Sequence, residues 1–359
     1  MRAILILPIL VLLVTNSGPV HAIDPYAGND PFWILLHEPA AIAQLKMSPT
    51  QKQAYLTLTD ELDTRFFPLR NKGSEEALKG MGEITAEAKV KLKSILQPAQ
   101  NKRLAEILLR RIGIVAIARE EVAALMGYTD TQREQIQKII DETRTAVAAL
   151  EKEMSEGKPR EPLDKKFVEL KTAEQVKLLG LLTPEQQAIW RKLIGAPFDV
   201  SKLGRPAMRV PELIDTGEWI NSSPLRMADL RGKVVVVHFY AFGCINCIHN
   251  YPAYRAWQEK FKDREVALIG IHTPETAKER DAARVRSKAA DEKLEFPILI
   301  DGKNENWNAW GNSMWPSVYL IDKRGYLRHF WPGELNWQGA EGEKFMREQV
   351  ENLLGEPMS

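Results

Sequence analysis

The sequence predicts an all-α N-terminal region followed by an α/β domain with a mixed central sheet flanked by helices. Apolar residues recur at helical spacing through most of residues 23–197, with almost no strand pattern. Continuous runs of β-branched and aromatic residues, typical of buried strands, begin only after residue 233. Between the two patterns, residues 195–211 are rich in glycine and proline. We therefore expect a helical domain at 23–197, a linker at 198–208 and an α/β domain at 209–359.

The composition and the charge exclude several classes of protein. The chain has 359 residues, of which 44% are hydrophobic and 27% are charged, as is typical of a soluble globular protein with more than one domain. The formal net charge of +1 gives no sign of a nucleic-acid partner. The two cysteines, Cys244 and Cys247, are too few for a disulfide-stapled mini-protein or a four-cysteine zinc site.

Residues 1–22 have the pattern of a secretory signal peptide. Arg2 provides a positive charge, an apolar stretch follows at 3–14, and Val20-His21-Ala22 ends in a small residue at the cleavage position. The alternative is an N-terminal anchor that is not cleaved. We expect export, to the periplasm or beyond, where disulfides form and persist.

Four helix starts in the N-terminal region share one capping pattern. In Ser48-Pro49-Thr50-Gln51, the serine hydroxyl caps the helix and the glutamine reaches back to the amide of the cap. Proline at the first helical position loses only an N–H group that has no helical partner. The other starts are Gln97-Pro98-Ala99-Gln100, Thr129-Asp130-Thr131-Gln132 and Thr183-Pro184-Glu185-Gln186, of which the first has the poorest cap.

The spacing of these starts indicates an internal repeat. The first and third starts are about 80 residues apart, and so, roughly, are the second and fourth. We infer that the helical domain is a duplicated unit. Starts of the form Leu-Thr-x-x-Gln resemble those of the periplasmic Spy/CpxP-type proteins, which are all-helical and bind unfolded chains or sense envelope stress. The alternative is a generic helical bundle, because the motif is mainly a capping rule.

The α/β domain is predicted from a change of hydrophobic period. The run 234–240 is continuously apolar or aromatic apart from one histidine, which suits a central buried strand. The predicted elements that follow it are a helix after residue 244, a strand at 266–271, a helix at 275–293, a strand at 297–300, a hairpin of 317–321 and 326–331, and a helix at 342–354. This order of strands and helices indicates a mixed sheet.

The segment Cys244-Ile245-Asn246-Cys247 lies directly after the predicted central strand and before a helix. Cys244 would then occupy the helix N-terminus, where unpaired amide groups stabilise a thiolate. We interpret Cys244 as the exposed, attacking cysteine and Cys247, one helical turn inward, as the resolving cysteine. Ile245 and Asn246 are expected to contact substrate and to help set the redox potential. A structural disulfide or half of a metal site is the alternative; no histidine pair lies at ligand spacing, so we expect no metal.

A second element of the site is predicted at Trp315-Pro316-Ser317, just before the strand at 317–321. A proline that starts a strand opposite a redox pair is a place for a cis peptide bond, which would let residue 315 pair with an extended substrate chain. The alternative is an ordinary trans proline at a strand edge. We count Pro316 with the catalytic residues and Trp315 with the substrate-binding residues.

These residues resemble the thioredoxin-like domains of the TlpA/DipZ type over roughly residues 209–355. The matching segments, in chain order, are Val210-Pro211-Glu212-Leu213, Trp219-Ile220-Asn221-Ser222, Leu230-Arg231-Gly232-Lys233-Val234, Cys244-Ile245-Asn246-Cys247 with Pro252, Gly270-Ile271-His272-Thr273-Pro274-Glu275, Trp307-Asn308-Ala309-Trp310-Gly311-Asn312 and Trp315-Pro316-Ser317-Val318-Tyr319-Leu320-Ile321-Asp322. The resemblance implies a thioredoxin fold, an exported location and dithiol–disulfide exchange with protein substrates. It also implies that Pro316 is cis and faces the cysteines.

Two positions depart from the thioredoxin pattern. His238 stands where thioredoxins usually carry a buried aspartate that moves the proton of the inner cysteine. A buried neutral imidazole could accept that proton near neutral pH, and the alternative is a packed strand histidine without such a role. Gly243 stands where a tryptophan usually precedes the first cysteine, with Phe242 behind it as an expected substrate contact.

The leading hypothesis is an exported thiol–disulfide oxidoreductase with no cofactor except its own Cys244–Cys247 disulfide. The resemblance favours a reductase over an oxidase. Its partners would be exported protein thiols and disulfides, and an electron donor in the membrane or the periplasm. A thiol peroxidase is disfavoured, because Ala241-Phe242-Gly243-Cys244 lacks the hydroxyl that such enzymes carry three residues before the cysteine. The alternative function is a periplasmic chaperone or stress-sensing helical protein with an accessory redox domain.

Overall fold

The computed structural model describes residues 31–72, 74–156, 158–203 and 208–357. The predicted signal peptide, residues 1–22, lies outside the described residues, as do residues 204–207 of the predicted linker. Across the described part of the chain, no helix combines the length and the apolar character needed to cross a membrane.

The described part of the N-terminal region is helical, as predicted. Its α-helices are α1 (Pro31–Leu36), α2 (Pro39–Ala43), α3 (Pro49–Phe66), α4 (Ser74–Ile95), α5 (Pro98–Ile112), α6 (Glu120–Met126), α7 (Asp130–Ser155), α8 (Arg160–Gly180) and α9 (Pro184–Ile194). Short 3-10 turns follow α3 at Phe67–Asn71 and α5 at Ile114–Ala118.

The four predicted capping patterns all lie at helix starts. At α3 the Gln51 N–H group donates to Ser48 Oγ over 3.2 Å, and the Ser48 N–H group donates to Gln51 Oε1 over 3.1 Å. Thr129 and Thr183 make the same pair of bonds at the starts of α7 and α9. At α5 the glutamine three residues inside the helix accepts from the Gln97 N–H group over 2.8 Å. The local capping chemistry therefore fixes where these helices begin.

The described residues group into two compact units that do not follow the order of the chain. Of the described residues, the first contains those within 38–47 and 96–203. The second contains those within 31–37, 48–95 and 208–357. The α3–α4 hairpin thus groups with the C-terminal sheet. The domain limits and the duplication inferred from the sequence stay predictions.

The first unit has its own apolar core. Side chains of α6, α7, α8 and α9 meet there with those of the 3-10 turn Ile114–Ala118. Ile117 and Leu178 are fully buried in this core, and Trp190 of α9 packs beside them. The helical spacing of the apolar residues explains the arrangement, because each helix buries one face.

A mixed sheet forms the core of the second unit. Within the described range 208–357 its strands are β1 (Trp219–Ile220), β2 (Val234–Tyr240), β3 (Val266–His272), β4 (Ile298–Ile300), β5 (Ser317–Ile321) and β6 (Leu327–Pro332), in the spatial order β1-β4-β3-β2-β5-β6. β2 pairs with β3 in parallel and with β5 antiparallel. The helices of this part are α10 (Ile245–Phe261), α11 (Ala282–Asp291), α12 (Glu305–Ala309) and α13 (Gly342–Gly355).

β2 is the central strand, and all of its residues are buried, as its nearly continuous apolar sequence predicts. On one face, Val236 and Tyr240 belong to an apolar cluster that includes Tyr254 of α10 and Val350 of α13. Because side chains alternate along a strand, Phe239 lies on the opposite face. The α10 face is the one that carries the cysteines.

The 3-10 turn after α3 packs on the opposite face of the sheet. The Phe67 ring is fully buried, and its centroid lies 5.9 Å from that of Trp310 and 6.3 Å from that of Tyr319. Gly311 has a φ of +58°, and a Cβ atom there would collide with the backbone of Pro68. Glycine at position 311 therefore permits the close approach of the turn.

Polar contacts join α3 to the segment that precedes the sheet. The buried Asp63 carboxylate accepts the Arg209 backbone N–H over 2.8 Å, and its other oxygen lies 2.7 Å from His37 Nε2. The Arg209 guanidinium makes an ion pair with Asp60 and lies over the Tyr326 ring, 4.8 Å from its centroid. Buried carboxylates need such partners, so these contacts help to hold α3 in place.

Some elements differ from the prediction. The predicted helix at 275–293 is a 3-10 turn, Ala277–Arg280, followed by α11, because Thr276 and Asp281 each cap a separate start. β1 and α12 were not predicted, since each is too short to show a hydrophobic period. β4 and β6 each begin one residue later than expected.

Candidate dithiol active site

Cys244 is the cap residue at the start of α10. β2 ends at Tyr240, and the chain then turns into α10, which begins at Ile245. The Cys244 backbone is extended, with φ −76° and ψ 113°, and its Sγ accepts the Cys247 backbone N–H over 3.3 Å. The first cysteine therefore lies where the sequence places it, at the positive end of the helix dipole.

Both thiols are buried, and they are not joined by a disulfide. Cys244 was expected to be exposed, and this is wrong: only 8% of its surface is accessible. Its cap position turns Sγ back toward the helix, and it packs in the cluster that contains Ala241 and Tyr251. Cys247 is fully buried, as a residue one turn inward should be.

The two thiols have opposite acid–base behaviour. The pKa of the Cys244 thiol is lowered, first by its hydrogen bond with the Cys247 side chain and then by the backbone N–H groups of Cys247 and Asn246. The pKa of the Cys247 thiol is raised well above its ordinary value, first by burial and then by the hydrogen bond with Cys244. A thiolate therefore forms on Cys244 before it forms on Cys247, and the thiolate is the nucleophile.

Glu275 is a charged neighbour of both cysteines, and its role was not predicted. Its carboxylate opposes ionisation and raises the pKa of Cys244 as well as that of Cys247. The residue lies in the loop after β3, where Gly270-Ile271-His272-Thr273-Pro274-Glu275 contributed to the resemblance. An acidic residue in a loop gives no local signal of proximity to a distant cysteine.

Glu279 joins the loop after β3 to the loop before Cys244. The side chain is 2% exposed. Its Oε1 accepts the Gly243 N–H over 2.7 Å, and its Oε2 accepts the Thr276 N–H over 2.6 Å. The sequence pattern Thr-x-x-Glu predicts a capping box at 276–279, but not the bond to Gly243.

Pro316 lies directly before β5, beside the end of β2. The Trp315–Pro316 peptide bond is cis. Ser317 pairs with Phe239, which places the loop before β5 next to the turn that leads to Cys244. Trp315 and Phe242 pack against the apolar cluster that contains both cysteines. The structure therefore brings Trp315, Phe242 and the dithiol together.

Trp315 is held by contacts on two sides. Its indole N–H donates to the Thr273 carbonyl over 3.0 Å, and its ring stacks on that of Trp307 with centroids 4.0 Å apart. Asp301 connects these partners, because its carboxylate accepts the Thr273 hydroxyl over 3.2 Å and the Trp307 N–H over 2.9 Å. Trp315 and Trp307 thus form an aromatic wall beside the thiols, held by α12 and the loop after β3.

The other predicted substrate contacts surround the start of α10. Ile245 is 61% exposed, a high value for an apolar residue, and Asn246 is exposed beside it. The Phe242 ring stacks on the His272 ring with centroids 5.5 Å apart. The Phe242 backbone N–H donates to His272 Nε2 over 3.3 Å. His272 was not predicted as a site residue, although its segment was part of the resemblance.

His238 is fully buried on the α10 face of β2. Its ring stacks on Tyr254 with centroids 4.0 Å apart, and among the described residues neither ring nitrogen has a hydrogen-bond partner. Burial lowers the pKa of His238 to about 3. A base of that strength holds a proton poorly at neutral pH, so the arrangement favours the packed histidine over the proton acceptor.

No group of three or more potential metal ligands occurs in the part of the chain that the structure describes. The chemistry that the site offers is that of two thiols of unequal acidity beside an aromatic wall. The sheet order and the helix capped by Cys244 define a thioredoxin-like domain.

Comparison with known proteins gives the same class. Residues 210–330 match the AhpC/TSA family, so the C-terminal part of the chain is a thioredoxin-like domain of that family. Protein DipZ of Mycobacterium tuberculosis is 37% identical over 134 residues, which cover 36% of this chain and 19% of that protein. The chain thus spans about a fifth of the length of that relative.

Two further proteins are matched over nearly their whole length. Thiol-disulfide oxidoreductase YkuV of Bacillus subtilis is 27% identical over 155 residues, which cover 43% of this chain and 98% of that protein. The crystal structure of a thioredoxin-like superfamily protein is 28% identical and covers 42% of this chain and 99% of its own, with a TM-score of 0.38.

Proposed function

We propose that this protein is an exported thiol–disulfide reductase that acts on protein disulfides through Cys244 and Cys247. The inequality of the two thiols carries the proposal. Cys244 caps α10 and has the lower pKa, whereas Cys247 is buried behind it with a raised pKa. One thiol can therefore attack while the other is kept protonated in reserve.

The exchange follows from this order. The Cys244 thiolate attacks one sulfur of a substrate disulfide, that S–S bond breaks, and a mixed disulfide forms. Cys247 then loses its proton and attacks the Cys244 sulfur, which releases the second substrate thiol. Both protons end on the substrate sulfurs, and two electrons leave the protein as the Cys244–Cys247 disulfide forms. A membrane or periplasmic electron donor must reduce that disulfide again.

The direction of electron flow is proposed from the charge beside the dithiol. A strong oxidant of this class has a stabilised reduced form, in which the thiolate is favoured. Here the pKa of Cys244 is lowered overall, but burial and then the Glu275 carboxylate work against that lowering and so limit the stabilisation of the reduced form. These two effects favour a reductase.

The substrate is proposed to be an exported protein chain that lies over the start of α10. Ile245 and Asn246 are exposed beside Cys244, and Phe242 and Trp315 pack against the cluster that holds the thiols. Pro316 directly follows Trp315 at the start of β5. We expect an extended chain placed along this edge to contact Ile245, Asn246, Phe242 and Trp315 and to run past Pro316, which is buried.

Trapping tests the assignment of the two thiols. In Cys247→Ser the resolving thiol is gone, so substrates should stay attached to Cys244 as mixed disulfides that reductant releases. Cys244→Ser is the matched control and should trap nothing. The assignment is reversed if only Cys244→Ser yields trapped proteins.

The redox potential tests the direction. Equilibration with glutathione, read by mass spectrometry after thiol alkylation, gives the potential of the Cys244–Cys247 couple. We expect a value more negative than about −200 mV, in the range of reducing thioredoxin-like proteins. A value near −120 mV, as for a strong oxidant, rejects the reductase.

Export is proposed from the signal-peptide pattern of residues 1–22. The mass of the protein recovered from a bacterial envelope fraction gives its first residue. We expect Ile23 to be that residue. Recovery only from the cytoplasm, with residues 1–22 still attached, contradicts export.

A second candidate is a chaperone function of the helices, favoured by apolar side chains that they leave exposed. Leu125, Val168 and Val176 are 60%, 41% and 66% exposed in the first unit. The test is whether the whole chain with both cysteines replaced by serine suppresses aggregation of an unfolded client. A fragment is unsuitable, because Ser48–Ile95 groups with the sheet.

A further inference from the structure

We propose that Glu279 is a positioning residue that fixes the Glu275 loop against the loop before Cys244. By doing so it sets the distance between the Glu275 carboxylate and the thiols. The inference deepens the proposed function and rests on it in one respect, namely that Cys244 is the attacking thiol. Glu279 itself does not touch the reacting sulfurs.

The two oxygens of Glu279 serve different segments. Oε1 accepts the Gly243 N–H over 2.7 Å, one residue before Cys244. Oε2 accepts the Glu275 N–H over 3.0 Å, the Thr276 N–H over 2.6 Å and the Thr276 hydroxyl over 2.9 Å. One rigid carboxylate group therefore links the residue that precedes the nucleophile to the backbone of the charged neighbour.

Glu279 accepts more hydrogen bonds than a helix cap alone requires. A buried carboxylate is costly unless hydrogen bonds compensate for lost water, and Glu279, at 2% exposure, receives four. A simple capping box needs only the bonds on the Thr276 side. The additional bond to Gly243 crosses to a different loop, 36 residues away in the chain.

Gly243 is explained by the same contact. A Cβ atom at this position would lie 2.9 Å from Glu279 Oε1, closer than such atoms approach in folded proteins. The space that a side chain before the first cysteine would take is thus occupied by the Glu279 carboxylate. Glycine at position 243, where thioredoxins carry tryptophan, therefore leaves room for the buried Glu279 carboxylate.

The charged groups near Cys244 come from two elements. On α10, Cys247 bonds to it and Tyr254 interacts with it. From the loop after β3, the exposed Glu275 carboxylate acts electrostatically on both thiols. Because electrostatic energy depends on distance, a shift of this loop changes what Glu275 does to the thiolate.

The test compares Glu279→Gln in the full-length protein and in the Glu275→Gln background. The midpoint of iodoacetamide alkylation of Cys244 against pH is measured in the reduced protein. We expect each single change to lower the midpoint by about half a pH unit or more. In the Glu275→Gln background, Glu279→Gln should change it by less than about 0.2 unit.

The two backgrounds separate a positioning role of Glu279 from a direct effect of its charge. If Glu279→Gln lowers the midpoint equally in both backgrounds, Glu279 acts through its own charge and the proposal is overturned. No shift in the wild-type background overturns it as well. Thr276→Val, which keeps every charge and removes one donor to Oε2, should lower the midpoint in the same direction by a smaller amount.

A matched control covers loss of fold. Asp322 is also buried, and its carboxylate accepts the N–H groups of Arg324 and Tyr326 at the far turn. Asp322→Asn should reduce stability without moving the alkylation midpoint. Alkylation of the reduced protein involves no disulfide substrate, so the result stands even if Cys247→Ser traps no substrate. Failure of the proposed function and failure of this inference are therefore distinguishable.

Discussion

Single side chains control the acidity of the dithiol. Hydrogen bonds from the start of α10 lower the pKa of Cys244, while burial and the Glu275 charge raise it. The balance leaves Cys244 more acidic than Cys247, but less so than the helix terminus alone would make it. Glu275 is thus the residue through which the loop after β3 acts on the reactivity of the thiol.

Glu275→Gln is predicted to make the couple more oxidising. Removal of the carboxylate lowers the pKa of Cys244 and stabilises the dithiol relative to the disulfide. One pKa unit corresponds to about 1.4 kcal/mol, or about 30 mV for two electrons, so the potential should rise by tens of millivolts at most. Glutathione equilibration measures the shift. The control is Glu292→Gln, which removes a carboxylate paired with Arg255 of α10 and should leave the potential unchanged.

His238→Phe is predicted to flatten the acid dependence of stability. The pKa of the folded-state imidazole is about 3 against 6.5 for the free group, so between these values the unfolded chain binds more protons and unfolding becomes easier as the pH falls. At pH 5 the cost is about 2 kcal/mol. Urea unfolding at pH 7 and pH 5 should show a gap smaller by about this amount in the variant.

The control for His238 is His249→Gln. His249 is half-exposed and lies 2.9 Å from Glu334, so its replacement removes a histidine without disturbing the buried stack of His238 on Tyr254. An unchanged gap in His238→Phe would mean that the imidazole is not held neutral by burial. His272, with a pKa lowered to about 4, should retain part of the acid dependence in either variant.

The site could be predicted in part from sequence, and the reason is its locality. Cys244 and Cys247 were placed correctly at a helix start because a buried strand directly precedes them and a helix follows. The low exposure of Cys244 was not predicted, because the accessibility of its side chain depends on how Ala241 and Tyr251 pack around it. Glu275 and Glu279 come later in the chain, after β3, and the sheet brings their loop to the thiols.

At the scale of elements, hydrophobic period and capping chemistry decided most boundaries. β2 and β5 end where predicted, because long buried runs leave little freedom. The predicted helix at 275–293 failed because apolar spacing ignores the second cap at Asp281. β1 has only two residues and owes its existence to pairing with β4, which no local pattern shows.

Phe67→Ala is predicted to destabilise the second unit by about 3–5 kcal/mol. The ring is fully buried between Trp310 and Tyr319, so its loss leaves a cavity on that face of the sheet. Urea unfolding measures the change. Leu78→Ala on α4, where the side chain is 63% exposed, is the control and should cost less than about 0.5 kcal/mol. A loss below about 1 kcal/mol for Phe67→Ala would contradict the packing.

At the scale of the whole molecule, chain order and compactness do not coincide. The sequence separates helices from sheet at about residue 200, whereas the contacts group α3 and α4 with the sheet. Composition could not reveal this, because an amphipathic helix shows that it buries a face but not against what. The contacts of Asp63 and Phe67 are among those that identify the partner.

A fragment of residues 209–359 is therefore predicted to be less stable than the same domain in the intact chain. It lacks Asp63 and Phe67, so Trp310 and Tyr319 lose a buried neighbour and are exposed to water. Thermal unfolding should show a midpoint lower by several degrees. The dye ANS should bind the fragment more strongly than the intact chain. An unchanged midpoint would mean that the hairpin contributes nothing to this domain.

The glutamines of the capping pattern have a consequence for how the first unit opens. The side-chain N–H groups of Gln132 donate to the Leu181 carbonyl over 3.1 Å and to Gln186 Oε1 over 3.0 Å. Gln186 in turn donates to the Met126 carbonyl and to Gln132 Oε1, each over 3.3 Å. The starts of α7 and α9 are thus joined by one hydrogen-bond network. Fraying at one start leaves the other with unpaired amides, so both should exchange their hydrogens with solvent as one cooperative unit.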